Sequence, residues 1–116
     1  MPDLVIDKVI NNSGLTELHL GAYYQEIDWV INCVEAGFSI NKTDYNNYTP
    51  LTWAIDMSCT SEIGVAEKII DYLLDKGANI NILPTGYVSI LEFAKDRNQE
   101  IFNYLEDKLK NENIKT

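Results

Sequence analysis

A chain of 116 residues with 46% apolar content is long enough for one domain with a real core, and not for two. Eighteen acids against nine bases give a net charge of −9, and only one base is an arginine. That balance disfavours direct nucleic-acid binding, which needs clustered Lys and Arg to neutralise phosphates.

No run approaches the roughly 18 apolar residues of a membrane span. The opening "MPDLVIDKVI" carries acids where a signal peptide carries a basic segment, so the expectation is a cytoplasmic protein that does not engage a membrane. Cys33 and Cys59 are too few for a disulfide framework or a thiolate zinc site, and are expected as small core or half-buried residues. The charge is uneven: between residues 9 and 67 eight acids face Lys42 alone, leaving that stretch at −7 and the rest near −2. The natural complement of a one-signed field is a basic partner, although solubility alone also accounts for an acidic composition.

In chain order, Leu4, Val5, Val9 and Ile10 predict a helix that caps one end of the molecule. "TELHLGAYY" then places Leu18 and Ala22 four apart, with Thr16 positioned to cap the first turn. After a break at Gln25-Glu26, Ile27, Val30, Ile31 and Val34 recur at helical spacing up to Gly37, a residue suited to the left-handed conformation that ends helices. The same pattern returns: "CVEAGFSIN" at 33–41 is echoed by "LLDKGANIN" at 73–81, an offset of 40, while "GLTELHLGA" at 14–22 aligns with "NYTPLTWAI" at 47–55, an offset of 33. Seven extra residues therefore belong to the second copy, expected within 56–67. A third, weaker copy reads "VSILEFAKDRNQEIFNYLEDK" at 88–108, its second helix carrying Ile101, Phe102, Leu105 and Leu109 and no terminal glycine. Internal periodicity near 33 signals a stacked array.

The order Thr49-Pro50-Leu51, small residues, an apolar helix, then Gly77 to Asn81 resembles the ankyrin repeat, as do Thr16, Leu18, His19, Gly21, Ala22 and Gly37 to Asn41 in the first copy. The likeness covers roughly residues 11 to 108 and implies an all-α solenoid of stacked helix pairs with short hairpin-like loops. The expected organisation is a single domain: an N-terminal cap at 1–11, repeats at 12–43 and 44–83, a third repeat or C-terminal cap at 84–110, and a tail at 111–116. Glu17 departs from the family's usual proline, and Thr52 and Glu92 from its histidine; His19 keeps that position, where the resemblance implies a structural brace. One helix pair cannot bury its apolar face alone, so about three copies are needed to make a core.

Catalysis has little to stand on. His19 with Cys33 or Cys59 could form a nucleophile and base, and Asp56 with Glu62 an acid and base, but nothing encloses either pair. "DYNN" at 44–47 lacks the remaining oxygen ligands of a calcium loop. The expectation is no enzyme, no metal and no cofactor.

What remains is recognition. The resemblance implies binding through hairpin tips and the concave side of the first helices. Carried over, the positions are Tyr23 and Tyr24 in copy one, Asp44, Tyr45, Asn46, Tyr48, Asp56 and Met57 in copy two, and Arg97 in copy three. Tyrosine gives large contact area at low entropic cost, and with Asp44, Asp56 and Glu17 nearby the group reads as an aromatic, acidic surface. Two functions follow: an acidic inhibitor of the immunity type that neutralises a basic partner such as a toxin nuclease, monomeric when free, or an adaptor that links cellular proteins.

Overall fold

The computed structural model describes residues 5–115, with side-chain environments given through residue 110. Among the described residues the fold is all-helical, with six α-helices and no strand: α1 Glu17–Tyr23, α2 Ile27–Ala36, α3 Pro50–Asp56, α4 Ile63–Asp75, α5 Ile90–Arg97 and α6 Gln99–Lys115. A single 3-10 turn, Ser58–Thr60, lies between α3 and α4. The helices pair as α1/α2, α3/α4 and α5/α6. The first members pack in one row, α1 on α3 on α5, and the second members in another, α2 on α4 on α6.

The two rows close over one core. Leu18, Val30, Leu51, Ile55, Ile69, Leu73, Phe93, Ile101 and Leu105 are all fully or almost fully buried in a single cluster. Alanines 22, 54, 66 and 94, at 0% exposure, keep the side chains short where helices approach. Burial of this kind is what turns three marginal helix pairs into one domain.

The echoed motif is a helix stop used twice. Gly37 and Gly77 have φ of 105° and 100°, a backbone that any side chain strains. In each case the glycine amide donates to the carbonyl three residues back (Val34, Leu74), and the next amide donates to the carbonyl five residues back (Phe38 to Cys33, Ala78 to Leu73). This is the Schellman pattern that satisfies the last carbonyls of a helix.

The hairpins are bracketed by equivalent side chains. Asn11 Oδ1 accepts from the amides of Ser13 and Leu15 at 3.0 and 3.1 Å, and Asp44 Oδ1, 33 positions on, accepts from Asn46 and Tyr48 at 2.9 and 3.0 Å. Buried polar groups brace the copies internally and tie them to one another. His19 Nδ1 accepts from the Thr16 amide at 3.0 Å, and its Nε2–H donates to the Lys42 carbonyl at 2.7 Å. Gln25, in the left-handed region at φ 57°, donates to the carbonyls of Ala22 and Ala54 at 2.9 and 3.1 Å and accepts from Ser61 at 2.9 Å. Asn98 donates to Ser58 at 3.1 Å, fixing the third pair on the second.

The seven extra residues of the second copy are shared between two places. Three residues, Tyr24 to Glu26, join α1 to α2, whereas six, Met57 to Glu62, join α3 to α4. With the copies aligned on Gly37 and Gly77, the start of α2 at Ile27 falls opposite Glu67, so the four residues 63–66 form an extra turn at the start of α4. All of the added residues lie inside the expected 56–67 window.

Three expectations are corrected. Val5, Val9 and Ile10 do not form a capping helix, because residues 5–10 are turn and extended chain; Leu4 lies outside the described residues. Asp7 is left-handed at φ 58°, and its carboxylate takes the Ser39 amide at 2.9 Å and hydroxyl at 2.5 Å, so a bond across 32 positions ties the segment to the first helix pair in place of a helix. At the other end α6 continues to Lys115 through the segment expected as a tail. No glycine or proline interrupts it, and Glu106 and Lys110 stand at the i, i+4 spacing that supports an exposed helix. Cys59 is exposed in the 3-10 turn, while Cys33 is buried, its thiol pushed up to about 11 by burial and then by Glu17.

Candidate functional site

Side chains from α1, α3, α5, their hairpins and the first turn of α2 form a chain of touching aromatic rings. Tyr24 stacks on Trp29 with centroids 6.1 Å apart and planes within 2°, and meets Tyr23 edge to face at 5.0 Å. Tyr23 meets Trp53 at 5.1 Å, Trp53 meets Tyr48 at 4.4 Å, Tyr48 meets Phe93 at 5.8 Å and Phe93 meets Tyr87 at 5.0 Å. These seven rings come from all three helix pairs. Each such contact is worth about 0.5–1.5 kcal/mol beyond its buried area, so the strip is held in place by itself. Except for Phe93, which is buried, the rings are half-buried or exposed.

Carboxylates anchor the polar tips. Trp29 Nε1–H donates to Glu17 at 3.2 Å, Trp53 Nε1–H to Asp44 Oδ2 at 2.9 Å, and the Tyr87 hydroxyl to Asp96 at 2.6 Å. The bond to Asp96, with some burial, raises the Tyr87 pKa. Arg97 closes the end of the strip. Its Nε lies 3.0 Å from Asp56 Oδ1, its Nη2 lies 3.5 Å from the Tyr48 hydroxyl, and its guanidinium carbon sits 5.0 Å over Phe93 and 5.8 Å from the Tyr87 centroid. Burial, and then Asp56, push the Tyr48 pKa upward, so the phenol stays protonated.

Tyr23, Tyr24, Tyr48, Asp56 and Arg97 are thus brought together. Asp44 is corrected: it is 4% exposed, and both oxygens are taken by two amides and an indole, so it builds the hairpin and is closed to a partner. Tyr45 and Asn46 stand apart at the hairpin tip. Tyr45, 72% exposed, donates its amide to Ser13 at 2.9 Å. Its ring lies so close to Gly14 that a β-carbon there would be 2.7 Å away. Met57 is half-buried at the end of α3, its carbonyl taken by Thr60.

Sequence reasoning missed Trp29, Trp53, Phe93 and Tyr87. One signal was available: the 40-residue offset lays Phe93 over Trp53, two aromatic residues at one repeat position. No three His, Cys, Asp or Glu side chains converge as metal ligands among the described residues.

Residues 46–83, the second hairpin and helix pair, match the family profile described as Ankyrin repeat. That segment of the chain is an ankyrin repeat. An ankyrin repeat is typically a non-catalytic unit of protein–protein interaction, and its presence here suggests a protein-binding module. Its sequence is also similar to acyl-CoA-binding domain-containing protein 1 of Arabidopsis thaliana, 33% identical over 61 residues. That stretch is 53% of this chain and 17% of the plant protein. Among the described residues no helix of the array is long and apolar enough to cross a membrane.

Proposed function

We propose that this ankyrin array binds one basic protein through the aromatic strip and neutralises it by occlusion, as an acidic inhibitor of the immunity type. The observation that carries the reading is the strip itself: seven contacting rings on one side of the molecule, with Tyr24 at 59% exposure and Trp53 and Tyr48 half-buried at its centre. Rigid aromatic residues with polar tips are the side chains that dominate protein interfaces. A net charge of −9 supplies the long-range attraction for a basic partner.

The test is affinity capture from the native cells with wild type and Trp53→Ala in parallel, followed by an activity assay of the captured protein. The inhibitor reading expects a basic protein that binds more weakly as salt rises, loses at least about tenfold in affinity with Trp53→Ala, and loses its own activity when bound. A partner that stays fully active in the complex would make the array an adaptor. Salt-independent binding, or full binding by Trp53→Ala, would refute the use of this surface.

A further inference from the structure

Arg97 is the only arginine of the chain, and its surroundings have the parts of a receptor for a guanidinium. Asp56 offers a carboxylate from the end of α3, Tyr48 a hydroxyl from the second hairpin, Phe93 a ring from α5 and Tyr87 a ring from the third hairpin. Two aromatic rings with a carboxylate and a phenol are the groups that favour arginine over lysine, through planar stacking and forked hydrogen bonding.

The intramolecular fit is incomplete. Arg97 reaches Asp56 through Nε and one oxygen, and its contact with Tyr48, at 3.5 Å, is at the limit of a hydrogen bond. An arginine fixed at the last position of α5 approaches the carboxylate from the side. One entering from outside can present the two parallel N–H groups that make the strong bidentate pair. The site is open to solvent, with 32% of the Arg97 side chain and 21% of the Asp56 side chain exposed, so exchange requires no unfolding.

We propose that Asp56, Tyr48, Phe93 and Tyr87 form a cage for an arginine of the basic partner, and that Arg97 fills it only until that arginine displaces it. This rests on the strip being the binding surface for such a protein. A partly exposed ion pair and a cation over the rings of Phe93 and Tyr87 together favour the closed arrangement by about tenfold. About a tenth of free molecules then have the cage open, and removing Arg97 raises the apparent affinity for an external guanidinium about tenfold.

The experiment needs no partner. The full chain, as wild type, Arg97→Ala, Arg97→Lys and Arg97→Ala/Asp56→Asn, is titrated with the peptide acetyl-Gly-Arg-Gly-amide and its lysine counterpart. Amide and indole NMR shifts report binding and confirm that each variant is folded. The expected result is an affinity for the arginine peptide about tenfold higher in Arg97→Ala than in wild type, intermediate in Arg97→Lys, and lost in the double variant. Shifts should centre on Tyr48, Trp53 and Phe93, and the lysine peptide should bind more weakly throughout. Equal affinity in wild type and both single variants, or undiminished binding by the double variant, overturns the cage. Either result leaves the Trp53→Ala test of the wider surface standing on its own.

Discussion

Asp44→Ala separates a residue that builds the proposed binding surface from one that belongs to it. The carboxylate accepts from the amides of Asn46 and Tyr48 and from the Trp53 indole, and is 4% exposed. Hydrogen bonds to a charged group are worth about 1.5–3 kcal/mol each. Asn46 is exposed and Tyr48 and Trp53 half-buried, so water recovers part of the loss; the expected destabilisation is about 3 kcal/mol, or a fall of about 10 °C in Tm for a domain of this size. Asp44→Asn divides that figure. Asn11 holds the first hairpin with the same two amide bonds, so asparagine preserves the turn. Its amide then turns a donor toward the indole donor, at a cost of about 1 kcal/mol. Urea unfolding, followed by far-UV circular dichroism and tryptophan fluorescence, measures both variants. An Asp44→Ala protein within about 0.5 kcal/mol of wild type, with slowed partner association instead, would refute the structural role and return Asp44 to the surface.

His19→Thr recreates the arrangement of Thr52 in the second copy and removes the bond to the Lys42 carbonyl; with the space left behind, the expected loss is about 2 kcal/mol. Burial holds the His19 pKa below its ordinary 6.5 against the opposing Lys42 bond, so the unfolded chain takes up the proton first. The stability that neutral His19 contributes is full above pH 6.5 and falls as pH drops below it; unfolding of wild type across that window should show the slope and His19→Thr should flatten it. Gly37→Ala and Gly77→Ala should each cost about 1–2 kcal/mol through backbone strain alone, because a β-carbon meets only Ile6 at 3.5 Å in the first case and nothing in the second. Thermal melts of the two should agree, and a neutral variant would contradict the helix-stop reading. Gln25→Ala removes a bond to the Ala22 carbonyl in its own copy and bonds to the Ala54 carbonyl and the Ser61 hydroxyl of the next, and should destabilise by about 2 kcal/mol in urea unfolding, far beyond an ordinary polar surface substitution.

The repeat was legible because its parts are local. Glycines at 37 and 77, a proline at the first turn of α3 and apolar residues at helical spacing each act within a few residues, and the structure uses them as read. The N-terminal segment was misread because four apolar residues say nothing of Ser39, to which Asp7 is bonded across 32 positions. The extra residues fall within 56–67 as expected, but their division between helix and loop was equally hidden. A longer α4 and a longer connection preserve the same two landmarks, and only packing of Ala66, Ile69 and Ile70 into the core selects their shares.

The aromatic surface was half legible for a related physical reason. A sequence shows which residues vary between copies, and so it singles out Tyr23, Tyr24 and Tyr48; it does not show that Trp53 and Phe93, on the helices between, carry the contacts that make those tyrosines one surface. The acids changed meaning most. Glu17 and Asp44 hold indoles, Asp96 holds a phenol and Asp56 holds Arg97. Glu26 and Glu62 are the N-caps of α2 and α4, and Asp28 lies in the first turn of α2, where the helix dipole favours negative charge. A carboxylate bonded to a ring tip is fixed and partly screened, so it shapes the surface more than it steers an approaching protein. The long-range field must come instead from exposed acids such as Glu26, Asp28, Glu35 and Glu62. On the proposed function, attraction and contact are therefore divided between different residues: the first set would draw a basic partner in, and the second has prepared the rigid aromatic strip that would meet it.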